Sequence, residues 1–156
     1  PGEVGADRIV NAVAGREKYG APLIVADYGT AITFDVVSPV GDYLGGAIAP
    51  GLQSGISALF SKAAKLPQVA LSIPENVIGK STEEAIQSGI LFGSAGLTDR
   101  IVEMIRAQKG FENAKVIATG GHADLMKKVS KKIDIVDDWL MLEGLKLILT
   151  KNVNAK

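Results

Sequence analysis

The sequence predicts an α/β fold, a mixed sheet with flanking helices, and two observations carry that reading. Three strand-like runs follow one another directly, and strand and helix patterns then alternate, which is the order of a meander continued by parallel units. With 156 residues, 47% of them hydrophobic, the chain can bury roughly one domain's core.

The elements follow in order. Ile9, Val10, Val13 and Ala14 recur at helical spacing and predict an amphipathic helix over about residues 4–18, with Asp7 and Arg8 in its first turns. Pro22 opens PLIVAD, an apolar β-branched run; YG signals a turn, and TAITFDVV alternates faces as a second strand of a hairpin. After the turn VGD, YLGGAIAP is a third strand ended by Pro50. Leu52, Ile56, Leu59 and Phe60 predict a helix from about residue 52 to residue 65. LPQVALSIPENVIGKS is the long irregular segment, and a connection of that length in a compact domain tends to be functional.

Ser81 or Thr82 then serves as N-cap of a helix of about 26 residues with Glu in its first turn. Gly89, Gly93 and Gly96 interrupt it, each costing about 1 kcal/mol against alanine, so another helix is expected to approach there. AKVIATGG reads as a strand ending in a glycine pair. A helix over about 123–131, a short strand IDIV and a final helix over about 138–151 complete the pattern. Trp139 is expected to pack.

Composition excludes several functions. Basic and acidic side chains, 17 of each, cancel, and no basic run exceeds KK, which argues against a nucleic-acid partner. Cysteine is absent and His122 is alone, so disulfides, thiolate metal sites and histidine clusters are excluded, and a reducing cytosol fits. No apolar run reaches the roughly 18 residues of a membrane span, and PGEVGADR lacks the features of a signal peptide. The first residue is Pro1 in place of methionine, as expected of a segment that begins inside a longer polypeptide.

Four segments could carry chemistry. In DYGTAIT, Asp27 to Thr33, a carboxylate at a strand end could hold a cation, while Gly29 and threonine donors approach phosphate; a simple hairpin turn explains the same residues. GGAIAPG, Gly45 to Gly51, leaves room for another backbone or a nucleotide, or is merely a tightly packed strand. TGGH, Thr119 to His122, is a strand-to-helix turn whose amides could meet a nucleotide. GADR, Gly5 to Arg8, sets a carboxylate that can take an alcohol proton beside a guanidinium that can fork onto an anion; an ordinary solvated helix face is the alternative. Thr82 is first of all a cap, and KKVSKK reads as solvated surface.

The joint order of GADR, DYGTAIT, GGAIAPG, GKSTEEAIQSG, ATGG and DDWLMLEGL resembles type III pantothenate kinase across essentially the whole chain. That family belongs to the acetate and sugar kinase, Hsp70 and actin superfamily, so the resemblance implies a ribonuclease H-like, actin-like ATPase lobe. It implies a linking helix over 1–20 that carries GADR and a C-terminal lobe over 21–156. The implied activity is ATP-dependent phosphorylation of the terminal hydroxyl of pantothenate, the first step of coenzyme A synthesis, in the cytoplasm. By the same resemblance Asp7 is the catalytic base, and Gly5, Ala6, Asp7 and Arg8 line the pantothenate pocket. Thr82 reaches pantothenate from the second subunit of a homodimer. Asp27 holds a monovalent cation, K+ or NH4+; Gly29 and Thr30 meet the ATP phosphates, and Thr119, Gly120 and Gly121 lie near the nucleotide. Mg2+ is expected with ATP, without a dedicated protein cage.

Family members carry an N-terminal lobe of about a hundred residues with a DxGNT phosphate loop, a property that rests on the resemblance alone. This chain contains no such segment, so it is expected to be inactive by itself. Two competing readings remain: a non-catalytic regulator of the Bvg accessory factor type, and an actin-like protein that binds nucleotide to assemble.

Overall fold

The computed structural model describes residues 4–62 and 69–154. Three strands form the predicted meander: β1 (Leu23–Tyr28), β2 (Ala31–Val37) and β3 (Tyr43–Pro50). Two short strands, β4 (Lys115–Thr119) and β5 (Ile135–Val136), extend the sheet from the other side of β1. The order is β3-β2-β1-β4-β5, with β1 antiparallel to β2 and parallel to β4. This is the mixed sheet that the element order predicts.

Alternation along the strands decides what lies on each face. Leu23, Val25, Val37 and Ile117 point to one side, where they pack with Ala12 and Ala14 of helix α1 (Ala6–Tyr19) and Leu140 of helix α5 (Leu140–Asn154). Ile24, Ala26, Tyr28, Ile32 and Phe34 point to the other. They meet Leu91, Ala95 and Val102 of helix α3 (Thr82–Arg106), Met126 of helix α4 (Ala123–Val129), and Leu52 of helix α2 (Leu52–Lys62). β1 is therefore buried on both faces, which explains its nearly continuous apolar run.

One irregularity matters for function. Val36 pairs with Gly45 but Val37 pairs with Tyr43, so Leu44 is an extra residue on β3. Gly45 takes φ +106° at this bulge. The bulge turns Tyr43 onto the α1 side of the sheet, where it packs with that core.

Helix α3 starts where its sequence signals place it. Ser81 is the N-cap, its Oγ accepting from the Glu84 N–H at 3.2 Å, and Glu84 reaches back to accept from the Lys80 N–H. The segment before it is pinned to α3: the Gln87 amide donates to the Ala70 carbonyl and the Ser88 hydroxyl to that of Val77. The expected end of α2 at residues 63–65 and the first residues of this segment, 66–68, lie outside the described residues.

Two expectations are corrected and one is narrowed. A Cβ on Gly89, Gly93 or Gly96 would meet nothing within 4 Å among the described residues, so no close helix contact at these glycines is made among them. Trp139 is 66% exposed: Asp137 accepts its backbone N–H at the start of α5, and that turn directs the indole outward. Helix α4 stops at Val129, short of residue 131, because the Asp99 carboxylate accepts from the Ser130 hydroxyl and the Lys131 and Lys132 N–H groups, satisfying the chain as it leaves the helix.

The cap yields a stability prediction. Ser81→Ala should cost about 1 kcal/mol, read as a lower urea midpoint at unchanged m-value. An unchanged midpoint would mean that α3 is held by packing alone.

Candidate functional site

Strand register assembles a polar row at the C-terminal end of β1. Asp27 pairs with Thr33 on β2 and with Thr119 on β4, and Thr33 pairs in turn with Ile48 on β3. All four belong to the face that α1 covers, since they alternate in step with Leu23, Val25 and Ile117. The first turns of α1 bring Asp7, Arg8 and Asn11 to this row.

Two side chains of α1 bind carboxylates of this face, Asn11 that of Asp27 in the row and Arg8 that of Asp35, two residues beyond Thr33 on β2. Arg8 donates through Nε to Asp35 Oδ1 at 2.8 Å, with Nη2 at 2.7 Å from the same oxygen. Asn11 donates to Asp27 Oδ2 at 3.0 Å. Asp7 is exposed, yet close enough for its charge to be felt at Asp27. The four GADR residues thus divide: Gly5, Ala6 and Asp7 face outward, and Arg8 turns in. Arg8 is therefore not on the solvated helix face that the motif by itself allowed.

Burial raises the Asp27 carboxyl above its ordinary range; the Asn11 hydrogen bond opposes this, while the charges of Asp7 and Asp35 push it further. Asn11 Oδ1 is buried and has no hydrogen-bond partner among the described residues. The Asp27 carboxylate and the orphaned Asn11 oxygen are the two groups here that could hold a cation. No group of three or more His, Cys, Asp or Glu among the described residues is arranged to hold a metal ion.

Three turns close around Asp27. The Gly29 N–H donates to the Ala31 carbonyl, making a tight turn that leaves Thr30 exposed. Ser54 donates to the Thr30 carbonyl, and a Cβ at Gly51 would lie 2.3 Å from that same oxygen, so GGAIAPG buttresses the DYGT turn by close backbone packing. Gly120 takes φ +90°, and a Cβ there would stand 2.5 Å from Asp27 Oδ1. Only glycine lets the TGG turn come this near the carboxylate. Thr119 is buried, Gly121 is exposed, and the His122 N–H donates to the Tyr28 carbonyl. His122 is half-buried with an unpartnered Nδ1 among the described residues.

Thr82 does not join this group. It heads α3 on the opposite side of the sheet, in a groove shared with Leu59, Ala85, Ile86, Gly89 and Ile90. The sequence reading also missed Asn11 and Asp35. Helical spacing three residues after Arg8 could have suggested Asn11, and an acid within an apolar strand could have suggested Asp35.

A meander continued by parallel strands, with turns gathered at the strand ends around a carboxylate, is a lobe of the ribonuclease H-like, actin-like fold. The sequence pattern of type III pantothenate kinase matches residues 1–118, and the chain belongs to that family. A type III pantothenate kinase of Citrifermentans bemidjiense is 54% identical over 152 residues, 97% of this chain and 59% of that protein. One of Geobacillus sp. is 51% identical over 156 residues, all of this chain and 60% of that protein. The chain thus spans about 60% of the length of these relatives.

Among solved structures, a Campylobacter jejuni protein assigned to the Baf family of transcriptional activators superposes with TM-score 0.70 at 25% identity, covering 97% of this chain and 66% of that one. Component A of (R)-2-hydroxyglutaryl-CoA dehydratase from Acidaminococcus fermentans has TM-score 0.51 at 13% identity, covering 88% and 64%, a likeness of fold alone.

The raised Asp27 pKa has a definite sign. Between the unfolded and folded values the native state binds more protons, so the ionised carboxylate weakens the fold at neutral pH and the penalty lifts as pH falls through the folded value. Asp27→Asn should therefore melt higher than the unsubstituted chain at pH 7, the gain shrinking as pH falls into the carboxylate range. Equal melting temperatures at pH 7 would contradict this electrostatic account.

Proposed function

We propose that the kinase to which this chain contributes transfers the terminal phosphoryl group of ATP to the terminal hydroxyl of pantothenate, the first step of coenzyme A synthesis, in the cytoplasm. The observation that carries this reading is the grouping of Asp7, Arg8 and Asp27 at one end of the sheet in a chain of this family. Phosphoryl transfer requires chiefly positioning and charge neutralisation. Asp7, exposed at the start of α1, accepts the proton of the attacking hydroxyl. Gly5, Ala6 and Arg8 line the same pocket and hold the substrate by backbone and guanidinium contacts. Gly29 and Thr30 meet the phosphates, and Thr119, Gly120 and Gly121 border the nucleotide. Asp27, with Asn11 beside it, holds K+ or NH4+, which neutralises phosphate charge when bound. Mg2+ accompanies ATP.

Residues 1–20 act as a linking helix and 21–156 as the C-terminal lobe of a larger protein whose other lobe supplies the DxGNT loop. The isolated chain is then inactive. Thr82 faces away from Asp7 within one chain, which supports its reaching pantothenate from the second subunit of a homodimer. The open Gly89, Gly93 and Gly96 give a partner helix room to approach.

The Baf name of the structural neighbour favours a second, regulatory reading. Asp7→Asn in the full-length protein separates the two: kcat should fall about 10²–10⁴-fold with the melting temperature preserved. A protein whose wild type consumes no ATP with pantothenate supports the regulator, and unchanged activity in the variant removes Asp7 as base. A Cβ at Gly93 would meet nothing within 4 Å among the described residues, and Gly93→Leu should turn a dimer into a monomer in sedimentation. A wild-type monomer would end the dimer proposal, and filaments formed with ATP would instead support an assembly protein.

A further inference from the structure

Asp35 has the least water of any carboxylate near the site. Its side chain is 0% exposed, yet no role in the reaction follows from the motifs that mark the pocket. It is satisfied by donors from three elements. Oδ1 accepts from Arg8 Nε and from the Tyr43 hydroxyl, each at 2.8 Å, and lies 2.7 Å from Arg8 Nη2; Oδ2 accepts from the Thr33 hydroxyl at 3.3 Å. Tyr43 reaches it because the β3 bulge turns its ring to the α1 side. Burial first, and Asp35 itself second, push the Tyr43 hydroxyl up to about 12, so it remains a donor throughout the physiological range.

The consequence concerns which atoms of Arg8 are free. A guanidinium has two edges that can grip an acceptor, Nε with one Nη, and the two Nη groups together. Asp35 occupies the Nε–Nη2 edge. Among the described residues no hydrogen bond engages Nη1, and the Arg8 side chain keeps 15% exposure. Gly46 lies beneath: a Cβ there would stand 3.1 Å from Nη2 and press into the Phe34 carbonyl, so only glycine leaves the guanidinium this seat.

Building on the pantothenate kinase reading, we infer that Asp35 is a positioning residue. By taking the Nε edge of Arg8, and being itself fixed by Tyr43 and Thr33, it aims the Nη1 edge into the pocket beside Asp7. There that edge meets an oxygen acceptor of the hydroxy-acid substrate while Asp7 meets the hydroxyl. A freely rotating arginine would have to be ordered on each binding event; this one is ordered beforehand. A purely structural ion pair between α1 and β2 would hold the fold equally well in any substrate state, and this difference is what an experiment can read.

The test is a double-mutant cycle in a full-length kinase carrying this segment, either its natural polypeptide or the Geobacillus relative with this segment in place of its own. Asp35→Asn should raise KM for pantothenate on the order of tenfold and change kcat by less than about threefold. In an Arg8→Lys background the same substitution should add nothing to KM, because Asp35 acts through Arg8. Tyr43→Phe removes a single donor and should move KM in the same direction by a smaller factor, again only when Arg8 is present. It gives the same answer if Asp35→Asn fails to fold. Equal KM effects with and without Arg8, or a lowered melting temperature with unchanged KM, overturn the positioning role. A wild-type protein that releases no ADP in the presence of pantothenate overturns the kinase reading itself, and the role of Asp35 with it.

Discussion

A carboxylate withdrawn from water as completely as Asp35 persists only where donors replace its lost hydration, and meeting that requirement organises the neighbouring structure. Arg8 must come down from α1, which fixes the first turn of that helix over the sheet. Tyr43 must face the same side, which requires the bulge in β3. Thr33 must lie two residues away on the same face of β2, as strand periodicity ensures. Once α1 is seated in this way, Asn11 falls against Asp27 one turn further along, and Asp7 remains at the rim. The polar end of the sheet is thus a consequence of one buried charge and the groups that answer it.

The other end of α1 is anchored by a second carboxylate. Asp137 accepts from the Lys18 ammonium at 2.9 Å and the Tyr19 hydroxyl at 2.8 Å while capping the Trp139 N–H. Burial works against its charge, but Lys18, Tyr19 and that N–H together lower its pKa. Between the anchors, Gly144 of α5 lets the two helices touch, with a Cβ position only 2.6 Å from the Val10 carbonyl. A helix fixed at both ends and along its length can transmit the orientation of its first turn to the lobe, as phosphoryl transfer to a hydroxyl held by that turn would require.

Much of this was legible in the sequence, and the legible part has a common physical origin. Periods of 3.6 and 2 residues, a cap at Ser81, and turns at Gly29, Gly41 and Gly120 are local properties, and the elements they predict are present within a few residues. The parts that were misread depend on what lies across space. Nothing adjacent in sequence says that, among the described residues, no atom comes within 4 Å of a Cβ at Gly89, Gly93 or Gly96, or that Trp139 is turned outward by the cap at Asp137.

The candidate site divides in the same way. GADR, DYGT and TGG were found because each carries its signal within a few residues: a carboxylate beside a guanidinium, or a glycine beside hydroxyls. Asp35 and Asn11 were missed because each is an ordinary residue of its element, and only strand register and the placement of α1 bring them to Thr33 and Asp27. The sequence by itself determined the elements, their order and the residues with intrinsic chemistry. The tertiary structure alone decided which edge of Arg8 is free, which carboxylate is buried, and on which side of the sheet Thr82 stands. Those outcomes depend on contacts across elements, such as that of Arg8 with Asp35, 27 positions apart, and no local pattern encodes them.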